Sequence, residues 1–86
     1  MSATPSALQL LLAEILTVPP ERITSDAGPG SIPTWDSFRH LQIVLALESE
    51  YEVQFDPARI AALASVMDLM NELRSLGVNL SADNSA

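Results

Sequence analysis

The sequence predicts an all-α fold, a small bundle of three main helices and one short helix. Apolar residues recur at helical spacing in three separate stretches, and capping residues, prolines or a glycine bound each of them. No stretch alternates apolar and polar residues over the length of a strand. The chain has 86 residues and no cysteine, so it holds one core without disulfide support. We expect a single domain over residues 1–78 and a flexible, polar tail over residues 79–86.

The first helix is predicted where Thr4 precedes Pro5, a capping residue followed by one suited to a first helical turn. One apolar stripe follows at helical spacing, and Pro19-Pro20 ends the helix. The connection to the second helix is long and rich in Pro and Gly, so it needs apolar anchors. Trp35 either packs in the core or faces a partner, and a large aromatic residue is more often buried. The stripe consists of Leu8, Leu11, Leu12, Ile15 and Leu16, and the candidate anchors are Ile23, Ile32 and Trp35.

The second helix runs from Ser37 to about Tyr51, without an interrupting Gly or Pro. Asp36 is suited to its N-cap, because a carboxylate accepts hydrogen bonds from free first-turn amides and complements the helix dipole. At about 100° per residue, one apolar group faces the core and a second lies roughly 140° away. A small bundle covers only one group, so we expect the second to bind partners, unless the upstream loop folds over it. The core group is Ile43, Val44, Leu47 and Tyr51, and the partner-binding group is Phe38, Leu41 and Leu45 with the flanking carboxylates Glu48 and Glu52.

Two further helices are predicted after the second one. Asp56 and Pro57 provide a cap and a first-turn proline for a short helix over 58–62. Ser65 and Asp68 resemble a capping box that opens the last helix, and Gly77 ends it. The apolar residues of this last helix are Val66, Leu69, Met70, Leu73 and Leu76, and Met67 and Met70 are expected to fill the core.

The charge balance is strongly acidic, with eleven acidic residues against four basic ones and a formal net charge of −7. Such a surface repels nucleic-acid phosphates and steers the protein toward basic partners, and simple solubility is the alternative explanation. No apolar run approaches the roughly 20 residues that a bilayer requires, and the N-terminus does not read as a signal peptide. We therefore expect a cytoplasmic monomer that binds neither nucleic acid nor membranes.

Catalytic residues and metal ligands are not expected. A hydrolytic triad is one alternative for Asp36, Ser37 and His40, since His40 lies one helical turn after Ser37. However, Asp36 is engaged as a cap, and no Gly-rich loop offers an oxyanion hole. One histidine without cysteines gives no spacing that suits a transition metal. His40 is expected to border the core, with a modulating role near a cofactor as the alternative.

The tripeptide Asp36-Ser37-Phe38, which opens a helix that ends in the stretch 46–51, resembles the phosphopantetheine attachment site of acyl carrier proteins. The resemblance covers roughly residues 6–76 and implies that Ser37 carries phosphopantetheine donated by coenzyme A. It also implies a phosphopantetheinyl transferase as a partner, and Asp36 as part of the attachment motif. The other matching positions are Leu12, Ile15, Ile23, Val53, Gln54, Phe55, Asp56, Pro57, Ile60, Ser65 and Val66.

The resemblance implies a carrier and not an enzyme. Such a carrier holds an acyl or aminoacyl group as a thioester on the arm, receives it from a loading ligase and presents it to acyl-processing enzymes. An aminoacyl or peptidyl carrier loaded by an adenylating ligase is one alternative. A helical adaptor that binds partners through Phe38, Leu41 and Leu45 without modification is the other.

The second helix departs from carriers of primary fatty acid synthesis. Arg39, Gln42 and Ser49 stand at positions where acidic residues are frequent in those carriers. Fewer carboxylates and an added positive charge disfavour partners with arginine-rich patches. We therefore expect a specialised carrier that primary fatty acid enzymes use poorly.

Overall fold

The computed structural model describes residues 6–80, which form four α-helices and one 3-10 turn, and no strand occurs among them. Three helices have ten or more residues and one has four, which confirms the predicted fold class. None of the helices within this range is both long and apolar enough to cross a bilayer. The elements are α1 (Ala7–Leu16), the 3-10 turn (Pro20–Arg22), α2 (Ser37–Tyr51), α3 (Pro57–Ile60) and α4 (Val66–Ser75).

Helix α1 begins at Ala7 and its N-cap is Ser6, so the predicted start at Pro5 is wrong. The Gln9 amide donates to the Ser6 hydroxyl at 3.1 Å, and the Ser6 amide donates to Gln9 Oε1 at 2.9 Å. This reciprocal pair is a capping box that satisfies the first free amides of the helix. The predicted cap, Thr4, lies outside the described residues.

The core combines one face of each main helix with the anchors of the α1–α2 connection. The predicted anchors Ile23, Ile32 and Trp35 are all buried, which confirms that they hold the long connection to the bundle. Trp35 is only 2% exposed, so it packs in the core and does not face a partner. The helix residues with no exposed surface are Leu12, Leu16, Ile43, Leu47, Leu69 and Leu73.

The α1–α2 connection also packs tightly against the start of α4. A Cβ placed on Gly28 would lie 2.2 Å from the carbonyl oxygen of Ala64, so only glycine fits at this close approach. The first two amides of α4 donate to the carbonyls of Ala27 and Ser25 at 2.8 and 2.9 Å. These bonds satisfy two of the helix's free N-terminal donors, and they tie the connection to a helix about forty residues later in the chain.

Helix α4 is capped by Ser65, whose hydroxyl accepts the Asp68 amide at 3.1 Å. The Asp68 carboxylate accepts from the Ala64 amide at 2.9 Å, one residue before the partner that a capping box uses. Met70 packs against the core, whereas Met67 is 50% exposed, so the prediction that Met67 fills the core is wrong. It lies one residue past the buried Val66 and therefore points away from the apolar stripe.

The short helix α3 and the C-terminal end differ slightly from the predicted bounds. Helix α3 ends at Ile60, two residues before the predicted end. Gly77 follows α4 with a φ of +95°, which favours glycine and ends the helix as predicted. Leu80 is 7% exposed and belongs to the core, so the packed domain extends at least to residue 80. The remainder of the predicted tail, residues 81–86, lies outside the described residues.

Candidate functional site

Ser37 lies exposed at the first position of α2, where the sequence places the start of this helix. Asp36 is the N-cap, since the Arg39 amide donates to Asp36 Oδ1 at 2.8 Å and the His40 amide donates to the Asp36 carbonyl at 2.8 Å. The amides of Ser37 and Phe38 have no hydrogen-bond partner within residues 6–80. Two open donors at the positive end of the helix dipole therefore accompany the Ser37 hydroxyl.

Arg39 turns back from α2 toward α1. Its Nε donates to the carbonyl oxygen of Ile15 at 3.2 Å, and its Nη1 lies 3.8 Å from Asp36 Oδ2. The Ile15 carbonyl belongs to the last turn of α1, where helix carbonyls lack intrahelical partners and favour a cation. Arg39 thus joins two helices, and this contact draws part of its charge away from the surface offered to partners.

Trp35 and His40 form a hydrogen-bonded pair beside Ser37. The Trp35 Nε1–H donates to His40 Nδ1 at 3.0 Å, and the two rings stack with centroids 6.1 Å apart. On the other side of the imidazole, Nε2 lies 2.9 Å from the carbonyl oxygen of Ile60 in α3. Because a carbonyl only accepts, Nε2 carries the proton and His40 is the neutral Nε2–H tautomer. His40 is half-buried, in agreement with its predicted place at the border of the core.

A groove of about 770 Å³ opens beside Ser37, between α2, α3 and the connection that precedes α2. Its surface is mainly apolar, and the pair Trp35 and His40 forms part of one wall. Residues of both α2 and α3 line the groove, so an apolar group attached to Ser37 has a surface to lie against. Its principal lining residues are Pro29, Trp35, Ser37, Leu41, Pro57 and Ile60.

The second apolar group of α2 is exposed, as the helical spacing predicts. Phe38, Leu41 and Leu45, which we call the α2 apolar face, are 69%, 50% and 58% exposed. The upstream loop therefore does not cover this face. Contiguous exposed apolar residues often mark interaction surfaces, whereas single exposed apolar residues are common on any protein surface.

The two carboxylates predicted to flank the α2 apolar face differ in their surroundings. The Phe55 amide donates to Glu48 Oε2 at 2.8 Å, so Glu48 stabilises the chain that follows α2. Glu52 is exposed and caps the C-terminus of α2 with a φ of 55°. The contribution of both carboxylates to partner binding stays a prediction. For Glu48, any such contribution is in addition to its hydrogen bond with the Phe55 amide.

An ion pair between α3 and α4 was missed by the sequence reasoning. Arg59 Nε donates to Glu72 Oε1 at 2.9 Å, and Glu72 is only 5% exposed. The signal was available, because Glu72 follows Leu69 by three positions on the apolar stripe of α4, where a carboxylate needs a partner. Within residues 6–80, no three His, Asp or Glu side chains lie close enough together to hold a metal ion.

The sequence of the chain is similar to that of a known protein. No protein-family model matches the chain. The chain is similar to an acyl carrier protein of Cylindrotheca sp. (strain N1), with 28% identity over 75 residues. The aligned part covers 87% of this chain and 94% of that protein, so the similarity is not confined to one motif. The chain is therefore similar to an acyl carrier protein over most of the length of both proteins.

Proposed function

We propose that this protein is a carrier whose Ser37 hydroxyl is joined to phosphopantetheine. The observation that carries the proposal is the position of Ser37, exposed at the start of α2 beside two free amides and a largely apolar groove. The amides suit the phosphodiester that the modification leaves there. When bound, the arm supplies the thiol that this cysteine-free chain lacks.

We expect the modification to need a separate transferase, because His40, the histidine beside Ser37, is not free to act as a base. Both ring nitrogens of His40 are engaged, Nδ1 by Trp35 and Nε2 by Ile60. In the proposed reaction, Ser37 Oγ bonds to the phosphorus that carries the pantetheine of coenzyme A, and the adenosine bisphosphate leaves. A base of the transferase takes the hydroxyl proton. This chain is therefore a substrate in the reaction and not its catalyst.

The α2 apolar face supports a role in docking partner enzymes. It begins one residue after Ser37, so a partner bound there has the attachment site within reach. The net charge of −7 adds attraction toward basic partner surfaces. We propose that the transferase, a loading ligase and downstream acyl-processing enzymes share this face. The groove beside Ser37 is positioned to receive an apolar part of the cargo.

We further propose that the carrier serves a specialised pathway, for an acyl or aminoacyl cargo outside primary fatty acid synthesis. Gln42 and Ser49 are exposed and neutral on α2, which supports this view, whereas Arg39 has a structural partner in Ile15. Gln42→Glu restores one carboxylate and leaves the Arg39 contact intact, so it is a cleaner test than a variant of Arg39. We expect primary fatty acid enzymes to use Gln42→Glu faster at low salt, where charge effects are largest. Equal rates would contradict the proposed specialisation.

The test of the carrier function is the intact mass of the protein after incubation with coenzyme A and a promiscuous phosphopantetheinyl transferase. We expect wild type to gain one phosphopantetheinyl group and Ser37→Ala to gain none. Ser49→Ala is the matched control, because Ser49 is an exposed serine of the same helix, and it should be modified like wild type. An unmodified wild type, in a reaction that modifies a reference carrier, would leave the unmodified adaptor as the better explanation of the exposed α2 apolar face.

A further inference from the structure

We infer that His40 is a positioning residue that holds Trp35 and α3 in place as walls of the groove beside Ser37, and thereby protects cargo lying in that groove. The inference rests on the proposed function, since it concerns cargo carried on Ser37. His40 reaches one wall through Nδ1, at 3.0 Å from Trp35 Nε1, and the other through Nε2, at 2.9 Å from the Ile60 carbonyl. The His40 side chain thus links two elements that line the groove, the segment before α2 and helix α3.

The first bond makes His40 the partner of a buried donor. Trp35 is 2% exposed, and its indole N–H is a donor that needs an acceptor when buried. Nδ1 of His40 supplies this acceptor only in its unprotonated form. The bond therefore fixes both the tautomer and the orientation of the imidazole.

The second bond holds an element that is weakly stabilised by itself. Helix α3 has only four residues, so its own hydrogen bonds contribute little to its position. Ile60 is its last residue, and carbonyls at a helix end lack intrahelical partners. The Ile60 carbonyl accepts from the Leu63 amide at 3.2 Å and from the Nε2–H of His40 at 2.9 Å, and only the second bond comes from α2. Asp56 caps the first turn of α3, and Arg59, the residue before Ile60, pairs with Glu72 of α4. Without His40, the end of α3 that lines the groove loses its hydrogen bond to α2.

Two substitutions separate the two bonds. His40→Asn places an amide oxygen where Nδ1 lies, so it keeps an acceptor for Trp35 but does not reach Ile60. His40→Gln places an amide nitrogen where Nε2 lies, so it keeps a donor to Ile60 and loses the acceptor geometry for Trp35. The two variants are polar and of similar size, and loss of packing alone would therefore affect them alike.

The first experiment uses the unmodified chain and NMR. The single histidine of the sequence gives an unambiguous spectrum, and we expect the ring nitrogens of wild type to show the neutral Nε2–H tautomer. We expect the Trp35 indole proton to exchange with solvent about tenfold faster in His40→Gln than in wild type, the factor that corresponds to one hydrogen bond of ordinary strength. In His40→Asn, that proton should stay close to wild type while the amides after α3 exchange faster. The Nδ1–H tautomer in wild type, or equal exchange in both variants, would overturn the inference.

The second experiment uses carriers loaded with octanoyl or acetyl phosphopantetheine from the corresponding coenzyme A esters. The rate at which hydroxylamine cleaves the thioester reports whether cargo is sheltered. In wild type we expect octanoyl to be cleaved several-fold more slowly than acetyl, and we expect this difference to decrease in both variants, because each variant releases one wall of the groove. A difference that persists unchanged in either variant overturns the claim that His40 holds both walls.

The two experiments distinguish a failure of this inference from a failure of the proposed function. A wild type that accepts no phosphopantetheine overturns the proposed function and, with it, the protection of cargo. The tautomer and the proton exchange of the unmodified chain still decide whether His40 holds Trp35 and α3. Circular dichroism of each variant establishes that it is folded, and the tautomer of wild type is decisive even where a variant does not fold.

Discussion

Replacement of two leucines on opposite sides of α2 gives the sharpest test of the packing. Leu47 has no exposed surface, whereas Leu41 is 50% exposed on the α2 apolar face. Leu47→Ala removes fully buried methyl groups and leaves a cavity, which costs about 2–5 kcal/mol of the free energy of unfolding. Leu41→Ala removes a half-exposed side chain from a helix that alanine favours, so its cost should stay within about 1 kcal/mol.

The size of the expected loss is large relative to the stability of so small a domain. A chain of this length has a free energy of unfolding of roughly 4–13 kcal/mol. Leu47→Ala therefore removes a large part of it. In a small domain each kcal/mol lowers the melting temperature by roughly 4–8 °C, so a decrease of at least about 8 °C is expected.

Urea denaturation followed by circular dichroism measures both variants in one assay. The midpoint should fall strongly for Leu47→Ala and little for Leu41→Ala, with similar slopes for the two transitions. The same pair should show the opposite order in the rate of phosphopantetheinyl transfer to Ser37, because only Leu41 is available to the transferase. Equal losses of stability in the two variants would refute the assignment of one core face and one exposed face to α2.

Three further predictions follow from the same structure. Asp36→Ala should lower the free energy of unfolding by about 0.5–2 kcal/mol through loss of the N-cap, as measured by urea denaturation, and should slow modification of Ser37; an unchanged midpoint and rate would contradict the capping role. Gly28→Ala should lower the melting temperature markedly because the added Cβ meets a backbone oxygen, whereas Gly30→Ala, with nothing within 4 Å, should stay near wild type, and similar melting temperatures would refute the close approach. Leu41→Glu should weaken binding to the transferase, measured as an increase in KM, far more than it lowers the melting temperature, and unfolding of this variant would show that the exposed position is needed for the fold.

Local patterns in the sequence were enough to predict the main helices and the position of Ser37 at the start of α2. The start of α2 depends on Asp36 and on amides within three residues of it, so the sequence alone contains the interaction. The two faces of α2 follow from helical periodicity, and burial of Trp35 follows from the cost of exposing a large aromatic side chain. The start of α1 was also readable, since Ser6 and Gln9 have capping-box spacing, although Thr4 competed as a cap.

Contacts between residues distant in the sequence were decided only by the tertiary structure. The fit of Gly28 against Ala64, the turn of Arg39 toward Ile15 and the partnership of His40 with Ile60 each join segments 20 or more residues apart. Helical periodicity specifies which side of a helix a residue occupies, but it does not specify which neighbour packs there. Polar groups at such contacts are oriented by whichever donor or acceptor the packing brings within reach, because a buried polar group without a partner is costly. For this reason the sequence located Ser37 on α2, and the tertiary structure determined the groove and the side chains that surround it.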